Sequence, residues 1–153
     1  MSATSKIEFL MNEIDLNISL FERRKEQNKK KAYWLKIASV ICSSLVTLLL
    51  GLKAVNVNIF SNIALFFAAL ITLFNGIEGF YNHRGLWYKD VRTLMRLKEL
   101  KRDIQFNITG EQEQSISIQD LKRYKDKLQT IINDDINTWS KLRENLEEQN
   151  AEN

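Results

Sequence analysis

The sequence predicts an all-α membrane protein, a two-helix transmembrane hairpin with long amphipathic cytoplasmic helices before and after it. Two blocks carry most of the strongly apolar residues, YWLKIASVICSSLVTLLLGL at 33–52 and IFSNIALFFAALITLFNGIE at 59–78. At ~1.5 Å per residue, each is long enough to cross a hydrocarbon core of ~30 Å. The flanking segments repeat apolar residues at steps of three and four, the helical period. Prolines are absent and no period-two alternation of Val, Ile and Thr occurs, so strands have little support.

Whole-chain averages conceal this segregation. The hydrophobic fraction is 44% and the mean hydropathy −0.28, values of an ordinary soluble domain. A buried helical hairpin within a soluble protein is the alternative to a membrane pair. The remaining chain is too polar to wrap two helices that are apolar all round, which favours lipid. The single cysteine, Cys42, lies midway along the first block and reads as a small membrane-buried residue, not a disulfide or metal ligand. No secretory signal is visible, because Glu13, Asp15 and Asn17 interrupt the early apolar residues and the basic cluster follows them.

In chain order, residues 1–32 read as an amphipathic and then basic cytoplasmic helix. Ser5 and Glu8 have capping-box spacing, and Ile7, Leu10, Met11, Ile14, Ile18 and Phe21 recur at helical steps. Arg23, Arg24, Lys25, Lys29, Lys30 and Lys31 follow without a breaker, so one long helix is expected to run from solvent into the membrane. Transmembrane helix 1 covers 33–52, an external hairpin loop 53–58 and transmembrane helix 2 59–82. A post-membrane helix over 83–106 carries Trp87, Val91, Leu94, Leu97, Leu100 and Ile104 as its apolar stripe. Residues 107–116 are polar, contain Gly110 and are expected to form a loop.

Ser117 and Asp120 resemble a second capping box, ahead of a C-terminal helix over 117–149. Its apolar residues are Leu121, Tyr124, Leu128, Ile131, Ile132, Ile136, Trp139, Leu142 and Leu146. The step of four at Leu128–Ile132 argues against a strict heptad coiled coil. Residues 150–153 form a frayed tail.

Basic residues flank the outer ends of both apolar blocks, including His83, Arg84, Lys89, Arg92 and Arg96 after the second, while the loop holds Lys53 alone. The positive-inside rule then puts both termini in the cytoplasm. Tyr33, Trp34, Tyr81, Trp87 and Tyr88 stand where an aromatic belt would mark the interface. Three cytoplasmic amphipathic helices are expected to bury their stripes in a bundle beneath the membrane, within one chain or among copies. The basic clusters suit anionic lipid headgroups, at ~1 kcal/mol per nearby residue, better than a nucleotide. No nucleic acid partner is expected.

Catalysis has little material here. One histidine, one cysteine and no glycine-rich phosphate loop leave no nucleophile–base pair, metal cluster or cofactor site to expect, and an enzyme is disfavoured. Asp134 with Asp135, and Glu147 with Glu148, read as solvated charges on exposed helix faces. His83 reads as a structural or lipid-facing residue at the interface.

The polar residues inside the apolar blocks are more informative. Ser39, Ser43, Thr47 and Gly51 recur every four residues, with Ser44 beside them, and Ala64, Ala68, Thr72 and Gly76 form a similar row that Asn75 and Gly79 extend. Such rows either pack helices closely through small residues or line a polar path in an oligomer. Ser39, Ser43, Thr47, Thr72 and Asn75 are therefore candidates for a pore or interhelix stripe. Lys36 and Glu78 are the ionisable groups within the blocks, at matching depths of antiparallel helices, and are candidates for a gate or an ion pair. Lys36 can alternatively snorkel to the headgroups. Gly76 and Gly79 are expected to let helices approach closely or bend beside Glu78.

The layout, together with YWLK at 33–36, the two spans and GLWYKDVRTLMRLKEL at 85–100, resembles the SLATT family of bacterial two-transmembrane proteins associated with SMODS nucleotidyltransferases and SLOG proteins. The resemblance covers nearly the whole chain and rests on layout more than on invariant residues. Trp87 and Arg92 match the pattern of its post-membrane helix, with no chemistry to assign to them. The resemblance implies an effector of bacterial conflict or anti-phage systems that assembles in the inner membrane as a homo-oligomer. It would respond to a separate sensor protein or a nucleotide second messenger and permeabilise the membrane. A non-conducting membrane anchor or scaffold whose bundle recruits a partner is the alternative reading, and a phage holin-like protein a third.

Overall fold

A computed structural model describes residues 3–51, 57–110 and 117–151. Four helices follow one another: α1 (Ala3–Gly51), α2 (Val57–Tyr81), α3 (His83–Gly110) and α4 (Ile118–Ala151). Among the described residues only Asn82 and Ser117 lie outside them. Neither proline nor glycine interrupts α1 before Gly51, so its 49 residues continue from the amphipathic segment into the apolar one. Helix starts already at Ala3, ahead of the Ser5 expected to cap it. The expected loop at 53–58 falls largely outside the described residues.

Two compact units result: residues up to Glu26 with those from Gly85 onward, and residues 27–84. The first is a three-helix bundle. Leu10, Ile14 and Phe21 of α1 meet Leu94, Leu97, Leu100 and Ile104 of α3 and Tyr124, Leu128 and Ile131 of α4. These are the stripes that the three- and four-residue steps predict. Each such side chain withdrawn from water contributes ~1.5–3 kcal/mol, which is what holds helices of mixed polarity together.

Two details of the bundle differ from expectation. The buried positions of α4 run Leu121, Tyr124, Leu128, Ile131 and Asp135, at alternating steps of three and four. The seam therefore continues through a carboxylate, while Ile132 is only partly buried and Ile136 is 54% exposed. Counting apolar residues alone chose the wrong continuation. Helix α3 also runs past the expected loop start at 107 to Gly110. Ile108 packs on the core, and Asn107 donates from Nδ2 to the Tyr124 hydroxyl, which rewards the extra turn.

The N-terminus of α4 is capped by Ser117. Its Oγ accepts from the Asp120 N–H at 3.1 Å and its hydroxyl donates to the Asp120 carboxylate at 2.8 Å. The two side chains are thus linked as a capping box is, although the carboxylate takes the hydroxyl here.

The second unit pairs the apolar half of α1 with α2. Each contains an 18-residue window of mean hydropathy 1.8, of which 11% and 6% respectively is buried. Both are long and apolar enough to cross a membrane. Two helices bury only their shared seam, where Ser39, Cys42 and Ala64 are the buried residues. Val40, Ile41, Leu48, Leu65, Phe66 and Leu73 point outward and exposed, a surface far more apolar than water-facing helices carry.

Candidate functional site

Within the hairpin the five stripe residues divide. Ser39 is buried, and its hydroxyl donates to Asn75 Oδ1 across the seam at 3.4 Å. Ser43, Thr47 and Thr72 are exposed. Thr47 donates to the Ser43 carbonyl at 3.0 Å and Thr72 to the Ala68 carbonyl at 3.2 Å, while Ser44 bonds back to Val40 in the same way. The hydroxyls of Ser44, Thr47 and Thr72 are thus satisfied on their own helices, the usual habit of Ser and Thr in apolar helices. Of the five, Ser39 and Asn75 are the two that bond across the seam among the described residues.

The ion pair expected between Lys36 and Glu78 is not formed. Lys36 is exposed, and none of the ion pairs among the described residues includes it. Glu78 instead accepts from the backbone N–H of Arg84 at 3.1 Å through Oε1. The matching depth expected from the sequence is not enough to pair them. Gly76 and Gly79 likewise make no close approach: a Cβ at either would meet nothing within 4 Å. The non-helical backbone sits at Asn82, whose φ of 48° is in the left-handed region that Asn tolerates. Its N–H donates to the Glu78 carbonyl at 2.7 Å, closing α2.

His83 follows at once, 8% exposed and stacked on Tyr81 with centroids 5.4 Å apart and planes 7° from parallel. Burial holds its imidazole below the ordinary histidine range, Glu78 opposes this in part, and the charge of Lys31 adds to it.

The bundle contains a polar cluster that sequence reasoning missed. Lys89 Nζ lies 2.7 Å from Asp135 Oδ1 and 3.0 Å from Asp90 Oδ1. The Thr93 hydroxyl lies 2.7 Å from the same Asp135 oxygen. Lys89 Nζ also stands 5.5 Å from the centre of the Phe21 ring. Asp135 is 8% exposed, so its reading as a solvated charge is corrected, whereas Asp134 is exposed and pairs with Arg96 at 2.6 Å. The detectable signal was the seam itself, since Asp135 occupies the step of four after Ile131, and Lys89 and Thr93 are four apart on one α3 face.

Every group of that cluster is engaged by another, which suits a structural tie and gives no free nucleophile or base. Trp87 is partly buried and Arg92 exposed. Arg92 lines a groove of about 290 Å³ with Lys89, Thr93, Arg96 and Lys141. Among the described residues no group of three or more His, Cys, Asp or Glu is placed to hold a metal ion.

The family model described as "Protein of unknown function (DUF4231)" matches residues 17–103, more than half of the chain. No curated protein and no solved structure matches.

Proposed function

We propose that this chain, which belongs to the DUF4231 family, is a bacterial inner-membrane effector that assembles from several copies and permeabilises the membrane. It crosses the bilayer twice, keeps both termini in the cytoplasm and acts when a nucleotide or a separate partner signals. The observation that carries the proposal is the outward position of Ser43, Thr47 and Thr72 on otherwise apolar helices. The hairpin seam does not use them, and leucine would suit lipid better at each place. A polar strip of this kind is best covered by another copy or by a water-filled path between copies. The resemblance to SLATT effectors supports the defence context, and the positive-inside pattern supports the orientation.

The test is release of a small dye from liposomes containing the full-length protein. Release is expected, with loss in a Ser43→Leu/Thr47→Leu variant that still inserts and keeps its helicity. Dye retention by the wild type, alone and with its genomic neighbours' products, overturns the proposal.

A second reading, a non-conducting anchor whose bundle recruits a partner, is favoured by one feature. Phe9, Leu16 and Leu20 of α1 are exposed at steps of seven and four on one bundle face. Under that reading the leucine variant keeps full activity and a Phe9→Ser/Leu16→Ser variant loses it.

A further inference from the structure

The turn between α2 and α3 leaves two buried polar atoms unsatisfied. Glu78 holds this turn twice, since its carbonyl accepts from the Asn82 N–H and its Oε1 from the Arg84 N–H. The other carboxylate oxygen, Oε2, is buried with no hydrogen-bond partner, and so is Nδ1 of His83. A carboxylate oxygen can only accept, while an imidazole nitrogen accepts or donates according to its protonation. Buried polar atoms without partners are few in native proteins, and each marks strain or a group awaiting a partner. The two residues are near enough for the Glu78 charge to act on the imidazole.

We propose that His83 and Glu78 form a proton-operated switch at the α2–α3 turn. A proton from water binds Nδ1, and the imidazolium pairs with the free Oε2 of the Glu78 carboxylate, while Oε1 keeps the Arg84 N–H; drawing the two side chains together shifts the backbone of the turn between them. The groups acting on the imidazole come from each neighbouring element. Glu78 on α2 favours the charged ring, Lys31 on α1 opposes it, and Tyr81 stacks on its face. Burial keeps the ring neutral in the arrangement described above. Any rearranged turn that eases this burial therefore binds the proton more tightly, and acid shifts the population toward it. The left-handed Asn82 gives the turn one residue able to change its backbone without unwinding a helix.

The chain has one histidine, so imidazole nitrogen NMR of full-length, His-labelled protein in nanodiscs reads this site alone. The titration, between about pH 5 and 8, is expected to have its midpoint below ~6.5. Glu78→Gln should lower it further, because the neighbouring negative charge that favours the imidazolium is gone. Backbone hydrogen exchange at 82–86, corrected for intrinsic rate, should rise on acidification in the wild type and stay level in His83→Gln. A wild-type midpoint at or above the ordinary value overturns the switch whatever the variants do. So does acid-linked exchange that persists in His83→Gln, or a midpoint that Glu78→Gln leaves unchanged. None of these readouts depends on membrane permeabilisation.

Discussion

Lys89 of α3 and Asp135 of α4, 46 residues apart in sequence, meet at 2.7 Å with both side chains nearly sealed from solvent. The contact joins α3 to α4 at the end of their apolar seam, and Asp90 and Thr93 complete it. Removing one partner of a buried pair strands the other's charge, whereas exposed pairs contribute little.

Lys89→Ala, which takes the cation from both Asp90 and Asp135, should destabilise the bundle by ~3–5 kcal/mol, and Asp135→Ala, which leaves Lys89 paired with Asp90, by less. Their effects should not add, because the two residues share one interaction. Denaturant melts of both single variants and the double variant, followed by circular dichroism in detergent, measure the coupling. An additive double variant would show that the contact is not formed in solution.

Leu97 is wholly buried among the three helices, while Phe106, larger and on the same helix, is 81% exposed. Leu97→Ala is expected to cost ~2–5 kcal/mol through the cavity it leaves. Phe106→Ala should stay within ~0.5 kcal/mol of the wild type. The same melts test this contrast, and a reversed order would mean that Phe106 is covered in the assembled protein.

Glu22 accepts from Lys98 Nζ at 2.6 Å, and that bond, with the lysine's charge, holds its carboxyl below the ordinary range. A depressed acid stabilises the fold above its unfolded value of about 4.5, and the benefit fades as pH falls through the folded value. Both side chains are nearly half exposed, so the contribution is at most ~1 kcal/mol and salt screens it. Lys98→Met should therefore lower the melting temperature slightly at pH 7 and low salt. It should make no difference well below that acid range or at ~1 M salt, which a pH and salt series of thermal melts will show.

The amphipathic helices were legible because burial of Leu10, Ile14, Leu97, Ile104 and Leu128 leaves a three- and four-residue period in the sequence. The two apolar blocks announced themselves by length. Asp135 was illegible because a charged residue reads as solvated until its partner is known, and Lys89 lies far away in sequence. Rows of every fourth residue were only half informative. Each step of four advances about 40° around a helix, so a row that begins on the seam at Ser39 has turned off it by Thr47. Counting along two antiparallel helices put Lys36 and Glu78 at matching depth, but contact also needs the angle around each axis, which counting does not give.

Cys42 lies buried on the hairpin seam, and it is the one thiol in the chain. A maleimide reacts with the thiolate, which hydrocarbon does not support, so it marks Cys42 only when water reaches the seam. The protein thus carries its own chemical reporter: the rate at which a membrane-permeant maleimide marks this thiol tells how often a wet path opens at mid-span, in the unaltered sequence and in the native bilayer.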